Sequence, residues 1–240
     1  MKRSGIYKIH VTFRIPGTDE THNKWGTAFV INKFHVLTSA HLMWSPEYGF
    51  ATMATLHPDI REDPNGNQRM ACVTAAFSVK YIDEPWAVNN LCVIAVAKHF
   101  DVGMPILQYH RKPKSLDTAI GKIIGYPSDM PLLHEGQKAV SSEGRLKYRK
   151  RYGANIVEHK INTRKGSSGS PVMVDGRVIA VHSGFDRGRK VNLATPIEHS
   201  RPISKVVFYM RNQRLLPKGV KDKGEVKGLT YPGQEMRLFV

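Results

Sequence analysis

Short apolar stretches that alternate with polar residues, broken by Gly, Pro, Asn and Asp, run along almost the whole chain. Alternation with period two is the pattern of a strand with one buried face. It predicts strands at 6–13, 26–31, 34–38, 71–80, 91–96, 120–125, 138–146, 156–161, 171–174, 177–183 and 191–195. Helical spacing stands out in one place, 197–212. There Ile203, Val206, Val207 and Met210 recur on one face, and Pro202 sits early enough to be tolerated. Many short strands with so little helix read as an all-β barrel or sandwich protein.

The 240 residues, 41% of them hydrophobic, suffice for one large domain or two packed halves. Residues 97–118 carry no clean period and include the basic run Arg111-Lys112-Pro113-Lys114, which suits a crossing between two halves. The expected division is therefore 1–110 and 111–215. Residues 216–240, rich in Lys, Gly and Pro, read as a tail or a late-packing extension.

A net charge of +16 raises the prior for an anionic partner: nucleic acid, a membrane surface or an acidic protein. Lys147, Arg149, Lys150, Arg151, Arg187, Arg189 and Lys190 are the candidate contacts, although no compact nucleic-acid motif accompanies them. The two cysteines, Cys72 and Cys92, allow at most one disulfide. The opening MKRSGIYKIHVTF holds no apolar run of signal-peptide length, and no stretch is long enough to span a bilayer. These features favour an intracellular setting. The histidines are scattered and neither cysteine lies in a CxxC pair, so the sequence calls for no metal and no cofactor.

Two motifs carry chemistry. In Gly166-Ser167-Ser168-Gly169-Ser170-Pro171, glycines beside a serine permit a tight loop that aims backbone N–H groups at a developing oxyanion. The donors would be the amides of Gly166 and Ser168, and the proline opens the next strand. In Gly26–Ile31 and Val36-Leu37-Thr38-Ser39-Ala40-His41, two strands end in small residues and a histidine, the commonest general base near neutral pH. A glycine- and serine-rich turn, or a histidine that merely ends a strand, accounts for either motif taken singly.

Together, Thr38-Ser39-Ala40-His41 and Gly166–Pro171 resemble the S1-type, chymotrypsin-like serine peptidases. Gly125-Tyr126-Pro127-Ser128-Asp129-Met130-Pro131 and Val178-Ile179-Ala180-Val181-His182-Ser183-Gly184 are similar to segments of the glutamyl endopeptidase branch. The resemblance spans roughly residues 25–200. It implies two six-stranded antiparallel Greek-key barrels with a C-terminal helix, the first barrel carrying His41 and the second Ser168. It further implies an endopeptidase acting on proteins or peptides through an acyl-enzyme, with His41 as base, Ser168 as nucleophile and Gly166 and Ser168 as oxyanion donors. A peptide would add as a strand along His182-Ser183-Gly184. His182 and Thr163 match the branch's ligands for an acidic side chain, which implies cleavage after Glu. Ser167 stands where trypsin-type zymogens carry an Asp, so no activation switch of that type is expected.

One position departs from the pattern. The family's acid precedes an apolar strand, and the matching stretch Asn89-Asn90-Leu91-Cys92-Val93-Ile94 places Asn90 there. An amide oxygen can accept a bond from the histidine Nδ1–H, but the amide NH₂ can also donate, favouring the wrong tautomer, and it carries no charge to stabilise imidazolium. Asn90 can thus be a working orienter or the mark of an attenuated site. Alternatively another carboxylate serves: Asp83 and Glu84 lie before the strand and Asp101 beyond it. The competing functions are a protease-fold binding module with little catalysis and a basic-surface binder of nucleic acid or another anion.

Overall fold

The computed structural model describes residues 3–77, 80–85, 87–109, 119–128, 137–151, 154–197, 228–231 and 234–239. Strand β1 (Ile6–Arg14) pairs antiparallel with β2 (Thr21–Asn32), in register from Ile6 opposite Phe29 to Arg14 opposite Thr21. Then follow β3 (His35–Thr38), the short β4 (Trp44–Ser45), β5 (Gly49–His57), β6 (Met70–Phe77) and β7 (Cys92–Val96). The order β1-β2-β3-β7-β6-β5 closes when β5 returns to β1, giving a six-stranded antiparallel barrel. Its interior is filled by Ile9, Val11, Phe13, Val30, Val36, Leu42, Leu56 and Ile94, all essentially inaccessible.

Residues 104–109 lead to the second barrel: Leu107 N–H bonds to the Val30 carbonyl at 2.9 Å and Val178 N–H to the Gln108 carbonyl at 2.8 Å. That barrel holds β8 (Ile120–Gly125), β9 (Val140–Arg151), β10 (Ala154–His159), β11 (Pro171–Val174), β12 (Arg177–Asp186) and β13 (Val191–Pro196). It closes in the order β8-β9-β10-β13-β12-β11. Two barrels of six antiparallel strands match the expected fold class. The predicted C-terminal helix over 197–212 lies, beyond Ile197, outside the described residues.

Within 216–240, β14 (Gly228–Tyr231) and β15 (Gln234–Phe239) form a hairpin, and β15 lies parallel to the far half of β6, Arg237 opposite Thr74. The near half of β6 is taken by β5. Strand β5 escaped the sequence reading for a physical reason. A register shift opposite Thr12 and Phe13 puts Met53 against Thr12 but Ala51 against Phe13, so buried Ala51 and Ala54 lie three apart and the alternation is lost.

The barrels meet over a shared apolar layer. Ile6, Phe29, Leu37, Leu91 and Val93 of the first pack with Tyr126, Val178, Val181 and Ile197 of the second. Polar ties are threaded through it. Thr27, fully buried, donates through Oγ1 to the Gly166 carbonyl at 2.9 Å and accepts from Tyr126 N–H at 3.0 Å. Its own N–H reaches the Ser168 carbonyl at 2.8 Å, and the Tyr126 hydroxyl donates to the Ile6 carbonyl at 2.9 Å. At Gly169, with φ of 86°, any Cβ would run into the Thr27 carbonyl and Thr38 Oγ1. Gly169→Ala should therefore cost at least about 2 kcal/mol from backbone strain and overlap. The thermal midpoint, followed by circular dichroism, should fall by about 4–8 °C.

Candidate functional site

His41 stands on the single helical turn Ala40–Leu42 that follows β3. Asn90 follows the turn Ala87–Asn89 and precedes β7. Strands β3 and β7 are antiparallel with Thr38 opposite Cys92, so the chain leaving one and the chain entering the other meet side by side. Two hydrogen bonds join them. Asn90 Oδ1 accepts the His41 backbone N–H at 2.9 Å, and Asn90 Nδ2 lies 2.9 Å from His41 Nδ1. Asn90 is 5% exposed.

The orientation of that amide follows from what each group can do. A backbone N–H only donates, so it must face the Asn90 oxygen, which leaves the NH₂ group to face the ring. Nδ1 is then an acceptor, and the proton of the neutral imidazole sits on Nε2. Burial lowers the His41 pKa to about 4, and the charge of Lys24 adds to this. The ring is neutral at pH 7.

The turn Ala87–Asn89 is braced from the second barrel. The buried Thr195 hydroxyl donates to the Ala87 carbonyl, and Ser183 Oγ meets Thr195 Oγ1 at 3.0 Å. The serine loop and the histidine turn share one acceptor, the His182 carbonyl oxygen: Ser39 Oγ donates to it at 2.8 Å and Gly169 N–H at 2.8 Å. The His182 N–H in turn bonds to the Ser170 carbonyl at 2.9 Å.

Within the loop, Ser167 N–H closes a four-residue turn on the Arg164 carbonyl at 3.0 Å, with Gly166 at φ 88° in the place that demands a positive angle. The Lys165 carbonyl accepts from Ser128 N–H at 2.8 Å. In a trans peptide the C=O and the following N–H point in opposite directions, so the Gly166 N–H is turned away from Ser128. Among the described residues neither the Gly166 nor the Ser168 amide donates to a protein acceptor. Such amides can take up negative charge on an incoming carbonyl oxygen.

His182 and Ser183 lie on β12 at a register shift against β13. The His182 ring is paired with a residue the sequence reading missed: His159 Nε2 stands 3.2 Å from His182 Nδ1, both rings buried. Among the described residues His159 Nδ1 has no partner. An unpartnered lone pair costs less than an unpartnered N–H, so the His159 proton belongs on Nε2, donating to His182, whose own proton is then on Nε2. One histidine among 11 carries no sequence signal of such a role. Thr163 Oγ1 donates to Asn192 Oδ1 at 2.9 Å, while Asn192 Nδ2 donates to the Ile161 carbonyl at 2.8 Å.

The alternative carboxylates stand elsewhere. Asp83 ends the short helix Lys80–Asp83, and Asp101 pairs with Arg3 at 2.5 Å. Of the basic candidates, Lys147, Arg149 and Lys150 lie exposed on β9 and Arg187, Arg189 and Lys190 on the β12–β13 turn. Arg149 faces Glu158 at 4.0 Å and Arg189 faces Asp186 at 3.9 Å. Among the described residues no three His, Cys, Asp or Glu side chains gather as a metal-binding group, and no helix is long and apolar enough to cross a membrane.

The sequence profile of the trypsin-like peptidase domain matches residues 26–181, a span that takes in the His41 turn, Asn90 and the Ser168 loop. The chain belongs to this family. Among solved structures, a Glu endopeptidase is similar over 86% of this chain and 90% of its own, with a TM-score of 0.67 at 17% identity. The protease Anisep from Arthrobacter nicotinovorans is similar over 82% and 91%, with a TM-score of 0.60 at 16% identity. The active form of the Rv3671c protease of M. tuberculosis is similar over 86% and 81%, with a TM-score of 0.59 at 16% identity. At these identities the likeness is one of fold. A search of curated proteins gave no match.

In this trypsin-like peptidase domain five histidines, His10 among them, have pKa values drawn below the usual 6.5, each chiefly by burial. His41, His57 and His159 fall to about 4, and His182 falls well below the ordinary value. The unfolded chain therefore binds more protons than the folded one between about pH 6.5 and 4, and stability drops as pH falls through that window. Urea midpoints should be level above about pH 7 and decline steadily below it. His159→Gln should flatten the decline, and a midpoint unchanged from pH 7 to pH 5 would contradict the buried neutral histidines.

Proposed function

We propose that this chain is a serine endopeptidase working through an acyl-enzyme, with turnover attenuated by Asn90 and a preference for cleavage after Glu. The observation that carries this reading is the shared anchoring of the histidine turn and the serine loop on one carbonyl oxygen, beside two amides that find no acceptor among the described residues. In the proposed cycle His41 Nε2 takes the Ser168 Oγ proton as Oγ bonds to the scissile carbon. The amides of Gly166 and Ser168 hold the resulting oxyanion. The imidazolium passes the proton to the departing amine, leaving an acyl-serine, and water repeats the sequence to release the acid and restore the hydroxyl.

The first step needs a lone pair on Nε2, whereas the Asn90 amide keeps a proton there. Catalysis then runs through the minor tautomer, without a carboxylate to steady the imidazolium. With Asp at position 90, one oxygen would still accept the His41 N–H and the other would accept from Nδ1, freeing Nε2. Asn90→Asp should raise kcat for peptide hydrolysis by about 10³–10⁴. It should also speed labelling by a fluorophosphonate, and Ser168→Ala should abolish labelling in both backgrounds.

The same amide orientation favours a second reading, a protease-fold binding module. If neither the natural chain nor Asn90→Asp is labelled, that reading takes over.

The preference for Glu rests on His182 and Thr163. A neutral His182 with its proton on Nε2 offers a donor to an entering carboxylate, which competes with the nearby Leu193 carbonyl and favours protonation of the ring. Measured in the Asn90→Asp protein, peptides with Glu before the scissile bond should be cleaved faster than those with Gln or Asp, and much faster than those with Lys or Phe. His182→Leu should remove the ranking. A clear preference for Lys or Phe would contradict the assignment.

A further inference from the structure

Strand β2 passes the site at Gly26. A Cβ there would stand 3.0 Å from the Ser168 carbonyl oxygen and would overlap the Leu42 methyl groups. Side chains two apart on a strand share a face, about 7 Å from one another. Lys24 therefore projects on the Gly26 side of β2. On β1, Ile9, Val11 and Phe13 stand opposite Gly26, Lys24 and His22, and all three are fully buried, so this face is the barrel interior.

The Lys24 stem is packed accordingly. Its Nζ lies 4.7 Å from the Phe13 ring centroid and 5.5 Å from that of Tyr48, and Tyr48 is itself stacked on His22 at 4.4 Å. Both aromatic faces attract the ammonium and restrict where it can go. Among the described residues Lys24 forms no ion pair; the exposed Glu47 is the acidic group whose charge reaches it. Burial draws the Lys24 pKa down, and its charge is felt at His41. A cation clamped by two rings, its charge reaching the histidine, with no carboxylate closing on it among the described residues, is complementary to an acidic group brought by another molecule.

We infer that Lys24 forms a cationic subsite for an acidic side chain at the first or second position after the scissile bond. This rests on the proteolytic reading above. The leaving segment must pass His41, which gives its proton to the departing amine, and the charge of Lys24, in the wall of the first barrel, reaches that ring. The segment before the bond belongs against β12 in the other barrel. A substrate with acidic groups on both sides of the bond would engage His182 and Lys24 together.

The test measures binding, so it does not depend on turnover. Fluorescein-labelled peptides with Glu before the bond and Glu, Gln or Lys at each of the next two positions are titrated into Ser168→Ala and followed by anisotropy. Acidic peptides should bind about 5-fold more tightly than their Lys counterparts at one of the two positions. Lys24→Met, which keeps the apolar stem, should bring the difference within about 2-fold, and Lys24→Glu should reverse it. Should Lys24→Met lose its circular-dichroism melt, Lys24→Arg serves instead and should retain the preference. Equal binding of Glu and Lys peptides at both positions, or a preference that survives Lys24→Glu, overturns the subsite and leaves the protease reading standing. Failure of every peptide to bind, with no fluorophosphonate labelling of either the natural chain or Asn90→Asp, overturns both.

Discussion

Two donors from opposite sides of the barrel boundary converge on one acceptor, the main-chain oxygen of His182. Ser39 Oγ comes from the turn that carries His41, and Gly169 N–H comes from the loop that carries Ser168. Each barrel could close without the other, since its strands satisfy their own ladders. Neither could set the distance between an imidazole and a hydroxyl lying more than a hundred residues apart in sequence. The shared carbonyl ties the two turns to each other, and Thr27 reinforces the tie with bonds to the Gly166 and Ser168 carbonyls. Small residues are required where these ties cross, which is why Gly26 and Gly169 stand where any side chain would meet backbone from the other barrel.

On this frame a single atom type at position 90 decides the resting chemistry. The same side chain must satisfy a backbone N–H and a ring nitrogen. A carboxylate can accept from both, but an amide can accept from only one, and the backbone has no second option. Asn90 therefore keeps the fold intact while reversing the polarity of the bond to Nδ1. The structural cost is small, and the chemical consequence is large in the proposed cycle, where the proton ends on the nitrogen that must receive one.

Much of this was legible in the sequence. Period-two alternation marked most strands of both barrels, because each has one face on a core. It failed for Gly49–His57, where a bulge shifts the buried side, and for the hairpin of β14 and β15, which adds to an edge already formed. His41 and Ser168 could be singled out from a strand end and a glycine turn, whereas Asn90 followed only from the family resemblance, which implies an acid at its place; the structure sets Asn90 against the His41 ring. The supporting contacts could not be singled out. His159 behind His182, Thr195 behind the Ala87 turn and Lys24, whose charge reaches His41, are ordinary residues until the closing of a barrel or the docking of two barrels brings them within reach. No local pattern encodes a contact between strands that are not neighbours in sequence.

The central claim, that the Asn90 amide fixes the His41 proton on the far nitrogen, is open to direct observation. In uniformly ¹⁵N-labelled protein at pH 7, long-range ¹H–¹⁵N correlation spectra distinguish the two neutral imidazole tautomers. The account predicts a neutral His41 with a protonated Nε2 and a bare Nδ1. A His41 ring with its proton on Nδ1, or one carrying both protons at that pH, would contradict it.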